Sequence, residues 1–182
     1  MKKLAMILCF TIVYGCGCSD NETIKYDLND FESSAMSIIA EEGIQFINKE
    51  KEIQIAKVTS KTTENRDLNS SDEDSCLVEL AESQKNELIF ENLGRTFTTT
   101  IEKRDENKSH IVISDGPTFY GVNYLNTENL EEILTDFSSD GYDFSSVFVL
   151  NSGSHSGFII YSPLNGIQFI KNDDGSYLRR TE

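Results

Sequence analysis

The sequence predicts an α+β fold: a mostly antiparallel sheet with a C-terminal β-meander and two or three helices. Three observations predict it. From residue 94 onward, short runs rich in Thr, Val, Ile and aromatics are punctuated by Gly, Asn, Asp and Pro, which suits pleated, half-buried strands. Residues 29–42 and 127–138 instead carry apolar side chains at helical spacing behind a capping residue. A chain of 182 residues is long enough for one domain with its own core, whereas two would each bury too little.

The chain opens with MKKLAMILCFTIVYGCGC. Lys2 and Lys3 form a positive start, Leu4 to Tyr14 is an uncharged apolar run, and Gly15 and Gly17 follow. This is the layout of a secretory signal peptide, too short to span a bilayer comfortably. Val13-Tyr14-Gly15-Cys16 resembles the lipobox of bacterial lipoproteins, in which a small residue precedes a cysteine that becomes lipidated. Tyr14 departs from that pattern, and Gly15-Cys16-Gly17-Cys18 offers a second junction. Cleavage at 15/16 lipidates Cys16, cleavage at 17/18 lipidates Cys18, and ordinary signal-peptidase cleavage after Gly17 yields a secreted protein.

The resemblance implies a lipid anchor in the bacterial cell envelope, periplasmic or on the outer surface, and implies nothing about the mature domain. An acyl chain contributes about 0.8 kcal/mol per buried methylene, so two or more chains anchor firmly. If Cys16 carries the lipid, Cys18 and Cys76 remain as an even pair able to form a disulfide in an oxidising compartment. If Cys18 carries it, Cys76 stands alone.

Residues 18–30 read as a polar tether, and residues 31–182 as the single domain. In 29–42, Phe31, Ala35, Ile38 and Ile39 share a helical stripe, Asn29 and Glu32 suit a capping box, and Gly43 is a natural stop. Residues 44–60 alternate around a charged turn and predict a hairpin. Gly-Ile-Gln-Phe-Ile occurs at 43–47 and again at 166–170; the match is too short for a repeat and reads as coincidence. Residues 61–75 hold one large apolar side chain, Leu68, and predict a mobile acidic loop. Residues 76–92 fit a helix or a pair of strands equally well. Strands are expected at 95–103, 110–114 and 118–125.

Residues 127–138 form the clearest helix, with Thr127 as cap and Leu130, Ile133, Leu134 and Phe137 as its apolar stripe. The meander covers 145–151, 156–162, 166–171 and 176–180, with Asn165-Gly166 and Asp174-Gly175 as hairpin signals. The runs Val147–Leu150 and Phe158–Ile160 are apolar on consecutive positions, so both faces of that sheet need cover.

With 31 Asp and Glu against 16 Lys and Arg, the net charge is −15, which disfavours nucleic acid as a partner. On the predicted 127–138 helix, Glu128, Glu132 and Asp136 recur every four residues with Glu131 beside them, and no cation lies between 126 and 170. Like charges at that spacing repel, so a basic protein partner gives the face a purpose, with Tyr142 and Phe144 as aromatic anchors. The expectation is an acidic extracytoplasmic interaction protein, such as an inhibitor or immunity-type factor. The alternative is a small envelope hydrolase or ligand-binding domain with a sheet pocket lined by Tyr120, Tyr124 and Tyr161.

No catalytic residue, metal or cofactor is expected. Ser154, His155 and Ser156 sit between Gly153 and Gly157, but a nucleophile elbow needs Ser midway between its glycines. Asp72-Glu73-Asp74 lacks the glycine and spacing of a calcium loop.

Overall fold

The computed structural model describes residues 22–36, 40–69, 77–122, 129–153 and 155–181. The chain enters through β1 (Glu22–Tyr26) and one short helix, α1 (Asp30–Ser34). Then follow β2 (Glu41–Asn48), β3 (Ile53–Val58), β4 (Thr62–Asp67), β5 (Leu77–Phe90), β6 (Arg95–Lys103), β7 (Ser109–Asp115) and β8 (Thr118–Gly121). The C-terminal part holds β9 (Thr135–Ser139), β10 (Tyr142–Asn151), β11 (Phe158–Ser162), β12 (Gly166–Lys171) and β13 (Tyr177–Arg180).

Hydrogen bonding runs β5-β3-β2-β13-β12-β11-β10-β8-β7-β6, and β6 pairs back to β5, so these strands close into a ring. Every pairing in that ring is antiparallel. Closure leaves fewer of the exposed sheet edges that invite aggregation. β1 and β4 attach to β5 outside the ring, β1 in parallel, and β9 attaches to β10.

Alternating side chains fill the interior. Phe97 and Ile101 of β6 meet Ile111 and Ile113 of β7, with Phe46, Phe90, Phe148, Leu150 and Ile159 around them. Each such side chain contributes roughly 1.5–3 kcal/mol on burial. A smaller cluster lies apart from this core: Val147, Ile160 and Phe169 under the half-buried Phe137, Tyr142, Phe144, Phe158 and Tyr177. The meander therefore has both faces covered, the second by the β9–β10 hairpin.

α1 has the predicted capping box: Glu32 N donates to Asn29 Oδ1 and Asn29 N donates to Glu32 Oε2, each at 2.8 Å. The same Glu32 carboxylate is buried and takes Lys103 Nζ of β6 at 3.2 Å. Leu28, Phe31, Ala35 and Met36 pack on the core, and Tyr161 Oη donates to Ala35 O at 2.9 Å.

The fold is thus mostly β, and the expected α+β class with two or three helices is corrected. The largest change is at 127–138. Among the described residues of that segment a 3-10 turn, Leu130–Ile133, forms in place of a helix, and the chain then extends into β9. Asp140 and Gly141 both have positive φ, 51° and 83°, the requirement of a two-residue type I′ hairpin turn, which pairs β9 with β10. The predicted stripe divides: Leu130 enters the main core and Phe137 the outer cluster.

The segment 18–30 is not a tether throughout, because Glu22–Tyr26 pairs with β5 and Tyr26 Oη donates to Glu79 at 2.8 Å. The segment 61–75 is not wholly loop. β4 is polar because its side chains all face water, yet six of its residues pair with β5. Residues 77–90 are neither a helix nor two strands but one strand, in which buried Gln84 and Asn86 interrupt the apolar pattern.

Candidate functional site

At one end of the ring, β6 and β7 are joined by a tight turn. Arg104 N donates to Lys108 O at 2.7 Å, while Asp105 Oδ1 accepts from Asn107 N and Lys108 N at 2.9 and 2.8 Å. Those backbone donors hold the Asp105 carboxyl below its ordinary range. The last β7–β8 pair is Val112 with Gly121, so β8 flanks only the second half of β7.

Beside the first half of β7 lies a cavity of about 460 Å³. Its walls are apolar: Ile111 and Leu130 from the core, Val122 and Ile133 packed against it. Arg104 and Lys108 stand at its rim, with 47% and 59% of their side chains exposed.

Two further groups belong to it. Ser109 is buried, and its Oγ has no hydrogen-bond partner among the described residues. A buried hydroxyl left unpaired costs on the order of 1–3 kcal/mol, so such a group marks a place where a partner fits. His110 accepts from Arg104 Nε through Nδ1 at 2.7 Å. Burial, with Arg104 adding to it, pushes its pKa down to about 4, so the ring is neutral near pH 7.

Arg104 has a second neighbour. Its Nε lies 3.2 Å from Glu102 Oε1, but the Nε hydrogen goes to His110, leaving that oxygen a charge contact without a hydrogen bond. The other Glu102 oxygen accepts from Arg66 Nη1 at 3.1 Å. Ser109 and His110 are consecutive on a strand and point to opposite faces, so they make no nucleophile–base pair. What the arrangement can do is bind. Apolar walls take hydrocarbon, the rim cations take a negative charge, and Ser109 takes a hydrogen bond.

A second depression, about 410 Å³ beside Gly43, Ile55 and Asn92, is open to solvent and already holds the Lys57–Glu91 ion pair. Among the described residues it holds no buried side-chain polar atom that lacks a partner.

The sequence-predicted sites fare differently. Glu131, Glu132 and Asp136 are exposed but form no stripe. Asp136 Oδ1 accepts from Ser146 N at 3.0 Å, so it holds the hairpin together. Tyr142 packs in the outer cluster, with the Arg179 guanidinium 4.4 Å from its ring centre. Tyr120 and Tyr161 are both buried in the main core, and burial raises both phenols. Cys16, Cys18, Cys76, Tyr124, Glu128 and the Asp72–Asp74 run lie outside the described residues.

His155 and Ser156 both turn to Asp173, His155 Nδ1 at 2.8 Å from Oδ2 and Ser156 Oγ at 3.2 Å from Oδ1. They fasten a turn and do not bond each other. Sequence reasoning missed Arg104, Lys108, Ser109 and His110. The available signal was two cations bracketing a hairpin turn in an otherwise acidic chain.

Comparison with protein-family models, with curated proteins and with solved structures finds no match. The chemistry of the residues alone carries the functional reading.

Proposed function

We propose that this chain is a membrane-anchored extracytoplasmic binding protein of the bacterial envelope, and that its ligand is a small amphipathic anion held in the cavity beside β7. The signal-like N-terminus and the Cys16 or Cys18 junction support the location. One observation carries the ligand: a cavity walled by Ile111, Val122, Leu130 and Ile133, with Arg104 and Lys108 at its rim and an unpartnered buried hydroxyl on Ser109. A volume of about 460 Å³ falls in the range of small-molecule sites, roughly 300–1,000 Å³. The reading as an inhibitor or immunity-type factor for a basic protein drew in part on an acidic helical face; the described residues 129–138 form a 3-10 turn and a strand in its place, so we assign binding to the cavity instead.

The test is calorimetric titration of the mature chain, with Cys16 and Cys18 replaced by serine, using decanoate. One saturable site per chain is expected. Arg104→Ala with Lys108→Ala should weaken it by on the order of tenfold or more, the worth of a charge-assisted contact. Absence of saturable binding, or binding that the double variant leaves intact, refutes the assignment.

A further inference from the structure

The ring has two ends, and the chain enters at only one of them. β1 runs parallel to β5, with Glu22 opposite Leu77 and Tyr26 opposite Ala81. The last β5–β6 pair in that direction is Ser83 with Glu102, so β1 begins beyond the end of the ring where β6 turns into β7. Electrostatics agree with the ladder: the Tyr26 phenol feels the carboxylates of Asp105 and Glu106 in that turn. Arg104 and Lys108, the rim of the cavity, belong to the same turn. The entry strand and the binding cavity therefore share one end of the molecule.

The linker is short. Three residues separate Cys18 from Glu22, and five separate Cys16 from it. Even fully extended, the chain spans at most about 14 Å or about 21 Å over those steps. From Glu22 to Tyr26 the strand covers about 13 Å more. An acylated cysteine at either position therefore keeps this end of the ring, with its cavity, close to the bilayer.

We infer that the anchored protein takes its ligand from the membrane itself, and that the ligand is a single-chain lipid with a carboxylate head. The inference rests on the reading under Proposed function and names the ligand of that site. An acyl chain long enough to fill apolar walls partitions into bilayers and is scarce in water, so a site tethered beside the bilayer meets it at high effective concentration. One cavity of about 460 Å³ suits one chain better than the two of a phospholipid. The head carries one charge because the rim cations are already shared, Arg104 with Glu102 at 3.2 Å and Lys108 with Asp105 at 3.4 Å. A rim so balanced favours a monovalent carboxylate over a dianionic phosphate. The Ser109 hydroxyl supplies a donor that the described protein residues leave unused.

The experiment uses the lipidated mature chain in phosphatidylcholine vesicles containing spin-labelled stearate, with the motionally restricted fraction read by electron spin resonance. One restricted stearate per chain is expected, reduced on the order of tenfold in affinity by Lys108→Glu, a surface change that leaves the core alone. A variant with twenty Gly and Ser residues inserted after Ser19 should bind decanoate in solution as the parent does, yet take up stearate several-fold more slowly. Decanoate binding without uptake of vesicle stearate overturns the inference and leaves the binding-protein reading standing. Failure of both overturns that reading too. Uptake unaffected by the longer linker refutes the membrane-facing placement. A lysophosphatidate that displaces the label better than oleate refutes the carboxylate head.

Discussion

Two identical pentapeptides occupy this molecule in two different ways. In β2, Gly43-Ile-Gln-Phe-Ile47 directs Ile44 and Phe46 together into the main core, the strict alternation of an undisturbed strand. In β12, Gly166-Ile-Gln-Phe-Ile170 sends Ile167 and Ile170 to that core and Phe169 to the outer cluster. Both glycines have positive φ, 77° and 73°. The difference lies in where the pairing slips. Against β3 the shift falls before Ile44, ahead of the apolar residues; against β11 it falls between Ile167 and Phe169, inside them. A bulge reverses the facing of every side chain beyond it, so register, and not local sequence, assigns a phenylalanine to a core.

The two environments should answer truncation differently, although both rings are fully buried. Phe46 meets Phe90 edge-on at 5.0 Å deep in the ring, where the walls are strands fixed on both sides. Phe169 is covered by half-buried Phe144, Phe158 and Tyr177, which can close over a gap. Phe46→Ala should cost about 4 kcal/mol and Phe169→Ala about 2 kcal/mol, because the cost depends on how far a site can collapse. Urea unfolding of both variants checks this, and equal losses would erase the distinction between the two clusters.

Ion pairs sharpen the same contrast. Lys103 and Glu32 are buried together at the end of the ring, so Glu32→Gln leaves an ammonium without its counter-charge and should cost about 3 kcal/mol. On the outer layer, Lys171 holds Asp140 at 2.7 Å nearer the surface, and Lys171→Met should cost less than about 1 kcal/mol.

Titration separates the regions by pH. His110 has a folded pKa of about 4, below its unfolded value near 6.5, so the unfolded chain takes up the proton first. Its contribution is whole above about pH 6.5 and is lost as the pH falls toward 4, a change of up to about 3 kcal/mol. Asp140 and Asp173 of the outer turns are depressed instead, by Lys171 and by the Gly157 amide respectively. Their contribution persists at pH 5 and fades only as the pH falls below the ordinary aspartate range. His110→Gln should flatten the stability curve between pH 6.5 and 4 and leave the loss at lower pH in place. A curve that keeps its slope there in the variant assigns the titration to another group.

Much of the ring was legible from the sequence: the 44–60 hairpin, strands at 95–103 and 110–114, the four-strand meander and the Asn29–Glu32 capping box. What was not legible has local causes. β5 hid because Gln84 and Asn86 occupy buried positions, and β4 because an added edge strand can be wholly polar. The false helix at 127–138 had genuine helical spacing, but Asp140-Gly141 gave the same hairpin signal as the Asp174-Gly175 already read as a turn. The repulsion among Glu128, Glu132 and Asp136 was a further argument against it. The cavity was beyond sequence reach, since it joins the start of β7 to residues near 122 and 130 only through the closed ring.

The Asp140-Gly141 turn provides the finest comparison, because it belongs to the outer layer alone. Gly141 has a φ of 83°, a conformation that costs a residue with a Cβ about 1 kcal/mol, and an added Cβ would meet nothing within 4 Å. Gly141→Ala therefore tests backbone strain without steric collision. Among the described residues β9 pairs only with β10, so strain there should open the hairpin locally and leave the ring closed. Hydrogen exchange should show faster exchange across Thr135–Ser139 and the facing residues of β10, with β6 and β7 unchanged. If β6 and β7 lose protection equally, the outer hairpin and the ring unfold as one unit, and the two phenylalanines belong to one cooperative core after all.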